Sequence, residues 1–214
     1  MEQQLQQTQK RGRFIVFEGI DGAGKTTQIE LLAKRLQEQG RRVYRTAEPT
    51  ESVSGGLLRD ALSGISKRTP TELAALFVLD RIFHNTNPVN GIERMLADGL
   101  DVICDRYYYS SLAYQGSETN EAWVRDMNLN CPDIRRPDIC IFLDLTPEQS
   151  MERIGKGRVT VEIYESEEKL TRVRDQFFRA LDSLQKTDRI CVVNAARSIE
   201  EIHEEIAALV AQIL

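Results

Sequence analysis

The chain lacks any apolar run long enough to cross a bilayer: its longest, residues 14–17 and 139–143, fall far short of the roughly 20 residues a spanning helix needs. It also lacks a charged-then-apolar leader at its glutamine-rich start, so a cytoplasmic setting with no membrane partner is expected. Cysteine is sparse. The four cysteines show no C-x-x-C spacing, and Cys104, Cys140 and Cys191 lie inside apolar runs, where Cys packs as a small hydrophobe; neither a disulfide framework nor a zinc site is implied. Strong charge of one sign is missing as well, since a formal net charge of −5 creates no global field toward nucleic acid or an anionic membrane. Affinity for phosphate must then come from a local cluster.

What is present suits one packed core. With 41% hydrophobic and 29% charged residues over 214 positions, residues 11–214 read as a single domain, whereas residues 1–10 carry five glutamines and too little apolar surface to offset their ordering entropy, and are expected to form a flexible tail. Short β-branched or aromatic runs at residues 14–17, 102–104, 139–143 and 190–193, with a weaker one at 43–44, read as buried strands. Between them lie helical stripes. Residues 26–37 place Ile29, Leu32, Ala33 and Leu36 on one face, and residues 199–214 do the same with Ile202, Ile206, Leu209, Val210 and Ile213. Strands alternating with helices predict an α/β fold with a parallel sheet and right-handed crossovers, whose ligands bind at the carboxyl ends of the strands.

The first strand runs directly into Gly19-Ile20-Asp21-Gly22-Ala23-Gly24-Lys25-Thr26, an uninterrupted G-x-x-x-x-G-K-T with a strand before it and a helix after it. In that context the glycines let backbone N–H groups face a polyphosphate, and the helix adds its positive end. Lys25 reaches the β- and γ-phosphates, and the Thr26 hydroxyl is placed to ligate Mg²⁺. Asp21 inside an anion-binding turn would repel phosphate unless it faces Mg²⁺ or a donor group on the acceptor. The third strand ends on Asp105-Arg106-Tyr107. Asp105 is positioned as a second Mg²⁺ carboxylate, and Arg106 offers a planar fork for phosphate. No N-K-x-D base-reading motif occurs and the loop after the third strand is not D-x-x-G, which disfavours a switch GTPase.

Several further motifs appear in order: F-E-G-I-D-G-A-G-K-T-T-Q at residues 17–28, Glu48-Pro49, L-F-x-x-D-R at 76–81, D-R-Y-x-x-S-S-x-A-Y-Q-G at 105–116, and Arg136-Pro137-Asp138 before the fourth strand. In this order and spacing, from about Arg13 to the end, the chain resembles the thymidylate kinase family of P-loop nucleoside monophosphate kinases. The resemblance implies a three-layer fold with a five-stranded parallel sheet in order 2-3-1-4-5, flanked by helices, plus a small lid. It implies transfer of phosphate from MgATP to dTMP, with ATP and Mg²⁺ required and a homodimer as the usual state. ATP would be held by residues 19–27, from Gly19 through Thr27, and the metal by Thr26 and Asp105.

On the acceptor side the resemblance implies that Phe77 stacks on thymine while Arg81 reads its edge. Ser110, Ser111 and Gln115 would contact the nucleotide, Tyr114 would crowd a 2′-hydroxyl, Glu48 would lie near the sugar and metal, and Arg106 would hold the acceptor phosphate. Asp21 would serve the 3′-hydroxyl or position the acceptor for catalysis, and Lys25, Arg106, Arg153 and Arg158 would act on the transferring group, the last two from a lid over residues 151–166. Some members carry an arginine inside the loop, where this chain has Gly22 and Ala23, so the charge falls to the lid, with Lys156 behind its two arginines. The common T-R-E-P becomes Thr46-Ala47-Glu48-Pro49, leaving Arg45 or Arg59 to supply a second phosphate contact. The lid's usual arginine-aromatic-glutamate becomes Ile163-Tyr164-Glu165. A related pyrimidine monophosphate kinase accepting dUMP, or a catalytically silent nucleotide-binding module, are the alternative readings. Dimer contacts are expected from residues 73–79 and 92–96.

Overall fold

The structure, a computed structural model, describes residues 10–155 and 167–214. The expected tail therefore lies almost wholly outside the described residues, as do Lys156, Arg158 and the Ile163-Tyr164-Glu165 triplet of the expected lid.

Five strands form one parallel sheet: β1 Phe14–Glu18, β2 Val43–Ala47, β3 Asp101–Asp105, β4 Ile139–Asp144 and β5 Ile190–Asn194, in spatial order β2-β3-β1-β4-β5. This is the expected order. The pleat sends alternate residues to opposite faces, and both faces are covered. Phe14 and Val16 join Val102, Cys104, Cys140 and Phe142 in one core, while Ile15 and Phe17 join Ile103, Ile139, Ile141 and Leu143 in the other. Each fully buried large side chain contributes roughly 2 kcal/mol. The edge strands β2 and β5 are only partly buried, in keeping with the weaker apolar run at residues 43–44.

Helices α1 Lys25–Glu38 and α10 Ile199–Ala211 cover the second core with Leu32, Leu36, Ile202 and Ile206. The other face carries α3 Pro70–Thr86, α4 Ile92–Ala97, α5 Tyr108–Ala113, α7 Glu121–Leu129 and α9 Glu167–Leu184. Completing the set are α2 Val53–Leu62, α6 Gln115–Glu118 and α8 Pro147–Gly155. Helix starts have identifiable causes. Thr69 with Glu72 and Ser198 with Glu201 form capping boxes, and Pro70 opens α3 where its missing N–H costs nothing. Helix α1 differs: its cap is Gly24 at φ 90°, with no side-chain cap, which leaves its first amides to other partners.

One expectation about apolar surface is corrected. Ile92 and Leu96 of α4 are buried in the core, so that helix has no outward apolar stripe, whereas α3 leaves Leu79 and Phe83 exposed one turn apart.

Candidate active site

The carboxyl ends of β1, β2 and β3 open onto one cleft of about 820 Å³. On its first side lies the glycine loop between β1 and α1. Gly19, Gly22 and Gly24 have φ of 142°, 76° and 90°, conformations that L side chains rarely adopt. A Cβ on Gly19 would stand 2.7 Å from the Leu143 carbonyl oxygen, so the loop is pressed against β4 as well as sharply turned. Ile20 and Ala23 anchor it from below by burying in the two opposite cores. Asp21, Gly22, Gly24, Lys25, Thr26 and Thr27 line the cleft; Gly19, Ile20 and Ala23 do not. The Lys25 Nζ donates to the carbonyls of Gly19 at 3.0 Å and Ile20 at 3.3 Å. Burial lowers its pKa, helped by the Arg106 charge and opposed by Asp105, Asp21 and Glu18.

At the end of β3 the chain makes an abrupt turn through Arg106, the one non-glycine with positive φ (66°) among the described residues. Its guanidinium donates to Asp21 Oδ1 at 2.5 Å, to Ser110 Oγ at 3.1 Å and to the Gly19 carbonyl at 3.4 Å, and lies over the Tyr114 ring. Thus β3 delivers its arginine onto the loop that β1 begins. Burial works against that charge, but Tyr114, Asp21, Asp105 and Glu18 raise the Arg106 pKa well above its ordinary value. Burial likewise pushes the Tyr114 hydroxyl up to about 12, opposed by Arg106, so the ring meets the cleft as a neutral phenol.

The opposite side of the cleft is built from separated segments. Glu48, at the end of β2 and before a cis peptide to Pro49, is buried and accepts from Arg81 Nε at 2.8 Å; His84 Nδ1 lies 3.0 Å from its other oxygen. Arg81 is itself buried, donates to Ser111 Oγ and to Asn128 Oδ1, and lies over the Tyr107 ring. Ser111 is therefore engaged by Arg81 and does not line the cleft, while Gln115 and Ser110 do. Phe77, half-buried and one turn before Arg81 on α3, also faces it. Arg59 lines the cleft and donates to the Thr50 and Pro49 carbonyls, at 2.5 and 3.3 Å, whereas Arg45 is exposed on β2 and does not line the cleft. From α8, Arg153 donates to the carbonyls of Gly22 at 3.5 Å and Ala195 at 2.9 Å. Arg158 lies outside the described residues.

Two oxygens fit a hard divalent cation. Asp105 Oδ1 is buried with no hydrogen-bond partner among the described residues, and Thr26 is exposed at the start of α1; both residues line the cleft. Among the described residues no group of three His, Cys, Asp or Glu could cage a metal. That suits Mg²⁺, which keeps much of its water and takes phosphate oxygens rather than a full protein cage.

Sequence reasoning assigned no role to four buried polar groups that shape this cleft. Glu18, at the last position of β1, accepts from Tyr107 N at 2.8 Å, Ser110 N at 3.1 Å and Ser110 Oγ at 2.7 Å. Asp80 accepts from Thr50 N and from the hydroxyls of Thr50, Ser52 and Ser54. His84 and Asn128 complete the Arg81 network. A carboxylate closing an otherwise apolar strand, and Asp80, Arg81 and His84 sharing one helix within four residues, are the signals that would have pointed to them.

A sequence profile of the thymidylate kinase family matches residues 17–206. The chain belongs to the thymidylate kinase family. Proteins described as probable thymidylate kinases in Pyrococcus horikoshii and Thermococcus gammatolerans are 40% and 38% identical, over 94% of this chain and 96% and 97% of their own. One in Methanocaldococcus jannaschii is 36% identical over 90% of this chain and 93% of its own. The thymidylate kinase motifs take definite places on the fold: the glycine loop joins β1 to α1, Glu48-Pro49 follows β2, L-F-x-x-D-R lies on α3, and D-R-Y leaves β3 for α5.

Proposed function

We propose that this protein transfers the γ-phosphoryl group of ATP to dTMP, giving ADP and dTDP, in the cytosol. One observation carries the reading: a single cleft is lined on one side by Lys25, Thr26 and Gly24 of the glycine loop, with Arg106 held against that loop, and on the other by Phe77 and Arg81. A polyphosphate on the loop and a nucleotide base against α3 would then meet near the Arg106 guanidinium.

The chemistry asks little covalent help. The acceptor phosphate is ionised near neutral pH, so its oxygen forms the new bond to the γ-phosphorus as the bond to the β-phosphate oxygen breaks, and no general base is required. Catalysis rests on alignment and charge neutralisation. Lys25 binds the β- and γ-phosphates, Arg106 holds the acceptor phosphate, and Arg153, with Arg158 of the lid over residues 151–166, stabilises charge that spreads over the transferring group. Thr26 and Asp105 would hold Mg²⁺, which supplies further neutralisation of the phosphate oxygens. Phe77 offers a flat apolar face to the pyrimidine, and Gln115, Ser110 and Arg81, the last steadied from behind by Ser111, offer polar contacts. Tyr114, which lines the cleft, would crowd a 2′-hydroxyl, and Arg59 would supply the cation missing from the E-P turn.

The same reading includes a homodimer. Exposed pairs one turn apart, Val53 with Leu57 on α2 and Leu79 with Phe83 on α3, support contact through that side of the molecule. Among the described residues no helix is long and apolar enough to cross a membrane.

ADP release should be measured with dTMP, dUMP and CMP as acceptors, with and without Mg²⁺. The expected outcome is Mg²⁺-dependent turnover of dTMP, slower turnover of dUMP and very little of CMP. Comparable rates with dTMP and CMP would defeat the thymidylate assignment, and absence of turnover with every acceptor would defeat the kinase reading.

A further inference from the structure

We propose that Glu18 is a positioning residue for the phosphoryl acceptor: from the end of β1 it fixes the Arg106–Ser110 turn so that the Arg106 guanidinium is held against the glycine loop at Asp21 and Gly19, where it meets the acceptor phosphate. This rests on the proposed kinase reading and adds a residue to it.

The geometry begins with the backbone of Arg106. A non-glycine residue at φ 66° is strained and persists only where its surroundings hold it. The holding comes from two successive residues of β1. Phe17 accepts from Arg106 N through its carbonyl at 2.9 Å, and Glu18 accepts from Tyr107 N through its carboxylate at 2.8 Å. Both amides flanking the turned residue are therefore fastened to the strand that leads into the glycine loop.

Glu18 then reaches further. Its Oε1 also accepts from Ser110 N at 3.1 Å and its Oε2 from Ser110 Oγ at 2.7 Å, while that same Ser110 oxygen accepts from Arg106 Nη1 at 3.1 Å. The hydroxyl is thus polarised in one direction, giving its hydrogen to the carboxylate and its lone pair to the guanidinium. Helix α5 has no side-chain cap of its own from Tyr107, and Glu18 on β1 accepts from the cap amide of Tyr107 and from the first-turn amide of Ser110. Through these contacts both the main chain and the side chain of Arg106 are referred to the position immediately before Gly19.

Burial raises the Glu18 carboxyl to about 7 despite the opposing Arg106 charge and the hydrogen bonds from Ser110 and Tyr107. A fully buried acid that engages Tyr107 N, Ser110 N and Ser110 Oγ at once does more than cap a six-residue helix.

The decisive experiment compares Glu18→Gln and Ser110→Ala with the wild type. For each protein, kcat/KM is measured for dTMP and MgATP affinity is measured separately by titration in the absence of acceptor. Glu18→Gln keeps the size of the side chain but places an amide against the Ser110 hydroxyl, so kcat/KM for dTMP should fall by about 100-fold, the scale expected for small misplacement of a reacting group, with MgATP affinity held within about three-fold. Ser110→Ala should reproduce the selective loss, and the double variant should lose little more than either alone, because both break one relay. Equal losses for dTMP turnover and MgATP binding would make Glu18 a general scaffold and overturn the proposal, as would additive effects of the two substitutions. Should Glu18→Gln fail to fold, wild-type-like dTMP kinetics in Ser110→Ala would overturn it alone. Wild-type turnover of dTMP reports on the kinase reading independently; if another monophosphate is the acceptor, the same ratios are taken with that compound.

Discussion

The glycine loop and the opposite side of the cleft are built by opposite means. The loop is eight consecutive residues whose shape comes from three positive-φ glycines and an uncapped helix start. Opposite it, Glu48, Arg81, His84, Ser111 and Asn128 come from β2, α3, α5 and α7 and satisfy one another while buried. Asp80 adds a second centre by gathering the turn at residues 50–54. The difference separates two kinds of damage. A side chain leaving the loop removes function and spares the fold, whereas one leaving the opposite side strands its partners in a buried place and costs both.

The largest expected effect tests the first half of that contrast. Lys25→Ala should lower turnover by about 1,000-fold or more, with unfolding free energy changed by only about 1 kcal/mol; near-normal activity in an ADP-release assay would refute the role given to the loop. Arg81→Met tests the second half. It leaves Glu48 buried without its cation, so urea denaturation should show a loss of about 3–5 kcal/mol together with impaired dTMP turnover. A loss under about 1 kcal/mol would mean that the acceptor side is not interlocked, and the contrast would collapse.

A pH series sharpens it further, through two carboxylates with opposite tendencies. Glu18, raised to about 7 by burial, stabilises the fold below the ordinary carboxylate range, and that contribution is lost as pH rises through about 7, a decline of about 3 kcal/mol. Asp80 behaves in reverse: burial acts to raise its pKa, but hydrogen bonds from Thr50, Ser54 and Ser52 bring it below the ordinary value, so its contribution is present at neutral pH and lost on strong acidification. Glu18→Gln should flatten the slope of stability between pH 4.5 and 7, and an unchanged slope would remove Glu18 as its source. The smallest effect concerns Arg153, which is exposed. Arg153→Ala should leave stability within about 0.5 kcal/mol and lower kcat about 10-fold with little change in KM for dTMP; a change in KM alone would assign it to ground-state binding.

The same contrast explains what could be read before any coordinates. The loop was legible because its parts are adjacent and each glycine has a local steric reason. Strand runs at residues 14–17, 102–104 and 139–143 were legible because strands buried on both faces must be continuously apolar. Arg81 and Phe77 could be paired because they stand one turn apart on a helix. That Arg81 is tied to Glu48, Ser111 and Asn128 was not legible, since those contacts join residues about 30 to 47 positions apart. Glu18 was visible as a letter in F-E-G, but its partners lie across the sheet at Tyr107 and Ser110. Nor does an apolar helical stripe reveal which way it faces, which is why Ile92 and Leu96 were expected at a contact and lie in the core.

At Gly22, a Cβ would come within 3.0 Å of the Ser150 carbonyl and 3.4 Å of Ile154, at a φ of +76° that already resists any side chain. Grafting an arginine into that slot would therefore displace α8 rather than add a charge. A redesign that puts a cation into the loop at this position has to relocate α8 first, which is a change of scaffold and not of a single codon.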